Sequence, residues 1–198
     1  MREPSPMLLP LLRSRAVGEL LAWLYLHPEG EYSTTDLAAR TGTSQSTVSR
    51  EVDRFTSAGL TVERRHGNLR LIRANNDTIV AKPLTDLLAV TFGPAAVLPP
   101  LLQPLSGIDE AYIYGSWAAR YANQAGPPPR DVDVLIVGTA DDDELYDAAR
   151  IAEGILGREV NISRISRASW IEDVDNPFVK SLRSRPLYPL QIAKRAAS

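Results

Sequence analysis

The eight residues from Arg130 to Val137 read Arg-Asp-Val-Asp-Val-Leu-Ile-Val. Their β-branched and aliphatic majority marks a strand. Side chains alternate along a strand, so Asp131 and Asp133 share one face and Arg130 takes the other. Two carboxylates held that close repel, and a divalent cation with oxygen ligands is their natural partner. Upstream, Ala111–Tyr114 reads as a second short strand, ending at Gly115-Ser116. A glycine without a Cβ, followed by a small hydroxyl residue, lets the backbone approach a phosphate closely. Alone, Gly-Ser is a turn and Asp-x-Asp a solvated strand end. Strand, turn, helix and strand in that order, within so short a span, form a far more specific pattern.

The length of 198 residues allows one large domain or two small ones. A hydrophobic share of 44% with 23% charged residues fits a globular chain with its own core. The absence of cysteine excludes a disulfide framework, a thiolate metal site and a cysteine nucleophile. Two histidines, His27 and His66, argue against a histidine-rich zinc site. No apolar run is read as approaching the roughly 18–20 residues of a membrane helix. Met7–Leu12 is apolar but broken by Pro10 and followed by Arg13 and Arg15, so it is not read as a signal peptide. The expected location is cytoplasmic, with no membrane partner.

The net charge of −2 hides a local asymmetry. Arg64, Arg65, His66, Arg70 and Arg73 lie within ten residues, while Asp141–Glu144 is an acidic run. A basic patch docks on nucleic acid through its local field, whatever the net charge.

That patch ends a patterned first half. Arg15–Leu26 is apolar at Val17, Leu20, Leu21, Leu24 and Tyr25, which is helical spacing, and Pro28-Glu29-Gly30 closes it. Ser33 stands three residues before Asp36, a capping-box start for a helix at Thr34–Arg40. Gly42 supplies a turn, and Ser44 caps a helix from Gln45 to Ala58 whose buried stripe is Val48, Val52 and Phe55. After Gly59, Leu60–Arg64 and Leu69–Arg73 flank a turn at His66-Gly67-Asn68, a hairpin with a basic tip.

From Tyr32 to Asn75 this order resembles the winged helix-turn-helix regulators of the ArsR and MarR type. The resemblance implies duplex DNA as a partner, a homodimer, and Gln45, Ser46, Ser49, Arg50 and Arg54 as residues reaching bases or phosphates. It implies backbone or minor-groove contacts from Arg64, Arg65, His66 and Arg70. ArsR-type metal sensing needs a Cys or His cluster that this chain lacks.

The second half resembles the nucleotidyltransferases of the DNA polymerase β superfamily, in their minimal form. That resemblance implies Gly115 and Ser116 at the phosphates of a nucleoside triphosphate, and Asp131 and Asp133 as ligands of Mg2+. A third carboxylate, completing the metal cage and acting as base, is expected on Arg158–Ile165. Asn161 stands in its place, where a neutral amide is a weaker ligand and no base. Glu159 shares the face two residues away.

The fold expected is therefore an α/β two-domain chain. An N-terminal winged helix-turn-helix (α+β, 10–75) and a helical linker (76–105) precede a C-terminal polymerase-β-type nucleotidyltransferase fold (106–198). Two functions follow. One is a DNA-binding transcription regulator whose second domain binds nucleotide and Mg2+ without efficient transfer. The other is an active Mg2+-dependent nucleotidyltransferase acting on a protein or small molecule, or an antitoxin-like protein with a toxin partner that represses its own promoter.

Overall fold

The computed structural model describes residues 12–172 and 176–192. Most of the Met7–Leu12 segment lies outside them. The chain divides into two compact units, 1–93 and 94–198.

In the first unit, α1 (Arg15–Leu26) is followed by the two-residue strand β1 (Tyr32–Ser33), α2 (Thr34–Thr41) and α3 (Gln45–Ser57). The hairpin β2 (Thr61–His66) and β3 (Leu69–Ala74) comes next, then α4 (Ala81–Phe92). Local chemistry sets these boundaries. Ser14, Ser33 and Ser44 each cap a helix with the side-chain oxygen, and Ser33 with Asp36 forms a reciprocal capping box. The hydrogen bond from Ser33 holds the Asp36 carboxyl below its ordinary pKa. The hairpin turns at Gly67 with φ of 58°, the first central position where a tight hairpin demands a positive φ. β1 adds to β3, so the sheet order is β1-β3-β2, all antiparallel.

Leu20, Leu24, Leu37, Val48, Val52 and Ile72 are buried completely or nearly so. The Tyr25 hydroxyl, inside this core, donates to the Leu60 carbonyl at 2.7 Å and ties α1 to the start of the hairpin. α4 packs on α1 through Ala81, Thr85, Leu88 and Ala89.

The second unit runs α5 (Pro94–Leu102), β4 (Ile108–Tyr114), α6 (Gly115–Tyr121), β5 (Asp131–Gly138), α7 (Asp142–Leu156) and β6 (Glu159–Ile165). It ends with α8 (Arg167–Glu172), α9 (Pro177–Arg183) and β7 (Tyr188–Pro189). The sheet order is β6-β5-β4-β7, with β5 antiparallel to β4 and parallel to β6. A parallel pair needs a crossover, and α7 provides it. Asp141 caps α7 by accepting from the Asp143 and Glu144 backbone N–H groups, and Asp142, Asp143 and Glu144 favour the same helix end through its dipole. On one sheet face Leu135 and Val137 join Trp170, Val179 and Leu182 of α8 and α9. Their neighbours Val132, Val134 and Ile136 are fully buried on the other face.

The stretch read as a linker is not a free connector. Its first helix, α4, packs on α1 in the first unit, and its second, α5, packs on α7 in the second. The expectation about apolar runs also changes. Ala81–Leu102 is a 22-residue stretch apolar and long enough, by length and composition, to cross a membrane. Gly93 interrupts it, in an extended conformation between α4 and α5.

Gly18 of α1 meets the Phe92 ring so closely that an added Cβ would lie 2.3 Å from Cζ. Gly18→Ala is therefore expected to lose about 1–3 kcal/mol by overpacking. A second substitution, Phe92→Leu, should recover part of the loss. Thermal unfolding of the single and double variants checks this, and strict additivity would contradict it.

Candidate functional site

In the first unit the buried stripe of α3 turns its opposite side outward. Gln45, Ser46, Arg50 and Arg54 are exposed and Ser49 is half-buried. The Gln45 side chain donates to the Thr34 hydroxyl at 3.0 Å, and the Ser46 and Ser44 hydroxyls are 3.0 Å apart. Arg50 makes one long contact, 3.4 Å to the Thr47 hydroxyl, while Arg54 pairs with Glu51 at 2.7 Å. At the hairpin tip the Arg65 and His66 side chains are exposed and make no hydrogen bond or ion pair among the described residues. Arg64 pairs with Glu31 at 2.5 Å.

Arg70 does something different from its neighbours. Its Nε and Nη2 grip both oxygens of Glu63 at 2.7 and 2.5 Å. Nη2 also donates to Asp53 at 2.5 Å, and Nη1 to the Ser49 hydroxyl at 3.3 Å. These bonds span β3, β2 and α3, so Arg70 fixes the hairpin against the helix. Its charge is already matched by two carboxylates. Its partners, 7 and 17 residues away, leave no local signal that sets it apart from the arginines expected to face DNA.

In the second unit the strand register brings the acidic residues together. Asp131 lies opposite Glu159, and Asp133 opposite Asn161, in the parallel pair. Asp133 also faces Tyr114 in the antiparallel pair. Directly paired residues share a face, so Asp131, Asp133, Glu159, Asn161 and Tyr114 all belong to one. Asp131 and Asp133 are half-buried; Glu159 and Asn161 are exposed. Burial raises the Asp133 pKa, and the charges of Asp131 and Glu159 raise it further.

Gly115 follows at the start of α6 with φ of 67°. A Cβ there would lie 2.4 Å from Asp133 Oδ2, so glycine is required by backbone and by space. Ser116 is exposed, and Tyr114 caps α6 without a side-chain hydrogen bond. Trp117 does not face the site's solvent side; it is buried, with its ring 5.7 Å from that of Tyr121.

Above Asp133 lies a cleft of about 140 Å³. Tyr114, Gly115 and Asp133 line it from the sheet, and Phe178, Ser181 and Arg185 from α9 and the residues just after it. No local motif in the sequence marks the α9 side as part of a site. Among the described residues no group of three or more His, Asp or Glu converges closely enough to form a metal cage. The Asp131–Asp133 pair nevertheless suits Mg2+, which takes one or two carboxylates and completes its shell with water and phosphate.

No family model matches the chain, and no curated protein matches it. Among solved structures it is similar to the homodimeric winged helix-turn-helix DNA-binding domain (fragment 1–100) of a Mycobacterium bovis protein described as a possible ArsR-family transcriptional regulator. The two share 26% identity over 46% of this chain and 85% of that one, with a TM-score of 0.30.

Two stability measurements follow from these arrangements. The hydrogen bond from Arg70 holds the Glu63 pKa below its ordinary value. That stabilisation is fully present above the unfolded carboxylate value, about 4.3, and is lost as pH falls through the lowered folded value. Arg70→Ala should therefore cost about 1 kcal/mol or more at pH 7 and much less at pH 2–3. An equal loss at both pH values would contradict the ion-pair account. Asp133→Asn removes a desolvated charge facing two others, so it should raise the melting temperature at pH 7 in metal-free buffer. A lower melting temperature would show that the Asp133 charge is already compensated.

Proposed function

We propose that this chain is a DNA-binding transcription regulator whose second unit is nucleotidyltransferase-like and binds a nucleotide with Mg2+. The observation that carries the DNA-binding half is the common exposure of Ser46 and Arg50 on α3 with Arg65 and His66 at the hairpin tip. A helix of this kind enters the major groove, and a hairpin beside it reaches the flanking backbone or minor groove. Arg54 and Arg64 join this surface readily. Both arginines hold their carboxylates, Glu51 and Glu31, from the surface, where water and salt screen the attraction, so a phosphate can displace the carboxylate. Arg70 positions the hairpin. A second copy of the chain places two such helices on successive half-sites of the duplex.

In the second unit Asp131 and Asp133 would hold Mg2+, with Glu159 beside Asp131 and Gly115-Ser116 toward the phosphates. The metal would neutralise the carboxylates and polarise a phosphate. The residues themselves favour binding over transfer. Asn161, not a carboxylate, stands opposite Asp133, so no base faces the metal pair at that level.

Fluorescence anisotropy with a labelled duplex tests the DNA-binding half. Wild type should bind at low salt, with log K falling as log salt rises by about 0.9 for each phosphate contacted. Arg65→Ala should reduce that slope by roughly one. Arg50→Ala should weaken binding by about 1–3 kcal/mol if the guanidinium pairs with a base. A wild type that retains no duplex at low salt, or one indifferent to both substitutions, defeats the proposal.

A further inference from the structure

The cleft above Asp133 holds an anion and a cation that do not pair. Asp133 forms one wall and Arg185 the other, yet Arg185 makes no ion pair or side-chain hydrogen bond among the described residues. Three other cations of this unit are engaged elsewhere. Arg164 grips Asp142 at 2.7 and 2.9 Å, Arg167 lies 3.9 Å from Asp109, and Arg183 stacks on the Trp170 ring and donates to its carbonyl.

Arg185 is also presented from a firm wall. α9 is anchored by Val179 and Leu182, buried against Leu135 and Val137. Beyond it, the Arg185 N–H donates to the Leu182 carbonyl at 3.3 Å, and β7 pairs with the edge of β4. Tyr188 of β7 packs its ring 4.5 Å from that of Tyr121. Arg185 thus lines the cleft from between two fixed points, with Asp133 its one acidic lining residue. A ligand that satisfies both walls carries a divalent cation toward the carboxylates and anionic oxygens toward the arginine. A metal-bound polyphosphate has that polarity. Guanidinium suits it further, because its planar fork matches two phosphate oxygens at once.

We propose that Arg185 is the phosphate-binding cation of this site, taking oxygens of a di- or triphosphate whose Mg2+ lies on Asp131 and Asp133. The proposal rests on the nucleotide-binding reading above. It adds that affinity resides in the phosphates, held from α9's side of the cleft, and that a nucleoside without phosphate gains nothing from Arg185.

Calorimetric titration of the full chain with Mg2+ and three probes, ATP, inorganic triphosphate and adenosine, tests this. Wild type should bind ATP and triphosphate. Arg185→Ala should weaken both at least tenfold, Arg185→Lys should recover part of the loss, and both variants should keep the wild-type melting temperature without ligand. If Arg185→Ala binds triphosphate as tightly as wild type while Asp133→Asn loses it, the site stands and Arg185 is not its cation. If wild type binds adenosine and not triphosphate, Arg185 is excluded as a phosphate ligand. If wild type binds none of the three probes, the nucleotide-binding reading falls, and this assignment with it.

Discussion

Everything in the second unit hangs on the pairing of β5 with a strand on each side. β5 lies between antiparallel β4 and parallel β6, and from Val132 to Val137 it is buried apart from Asp133. Five aliphatic side chains there are fully buried, each contributing roughly 1.5–3 kcal/mol of transfer free energy. Their sum outweighs the mutual repulsion of two half-buried carboxylates at the start of the same strand. The alternation of the strand then leaves no freedom over where those carboxylates lie. Leu135 and Val137 commit their face to α8 and α9, and Asp131 and Asp133, in phase with them, must share it. The acidic face and the α9 wall are brought together by that one register.

The first unit obeys a comparable constraint with different chemistry. α3 presents its polar side only because its apolar stripe is seated and the hairpin beside it is fixed in direction. Tyr25 fixes the start of the hairpin through Leu60, and Arg70 fixes its middle through Glu63 and Asp53. The Arg70 side chain is about one-quarter exposed, half as much as those of Arg54 and Arg64, so its pair with Glu63 is the better shielded from water at the arginine end. The cluster of basic residues is therefore divided in labour. Some members hold the surface together, and others are available to a phosphate.

This division marks where sequence reading works. The capping box at Ser33 and Asp36, the stripe of α3 and the turn at Gly67 depend on residues within a few positions, and each was legible. The shared face of Asp131 and Asp133 follows from period two alone. Features created by distant pairing were not. β1 is a strand only because β3 lies beside it, and β7 only because it reaches the edge of β4. The engaged state of Arg70 and the cleft wall at Arg185 have the same origin. Neither has a partner nearby in the chain.

The register of β6 decides how the acidic site should be understood. A single strand places Glu159 and Asn161 on the carboxylate face, but at different levels: Glu159 beside Asp131 and Asn161 beside Asp133. The field at Asp133 therefore comes from Asp131 in its own strand and from Glu159 one level away, while its immediate neighbour on β6 is neutral. A third carboxylate beside Asp133 would raise the repulsion further and also supply a base. The amide lowers the repulsion and supplies none. Gly115 closes the remaining side, since its Cα lies against the Asp133 carboxylate where any side chain would displace it. What is left open is the cleft toward α9, lined there by Arg185, which makes no ion pair among the described residues.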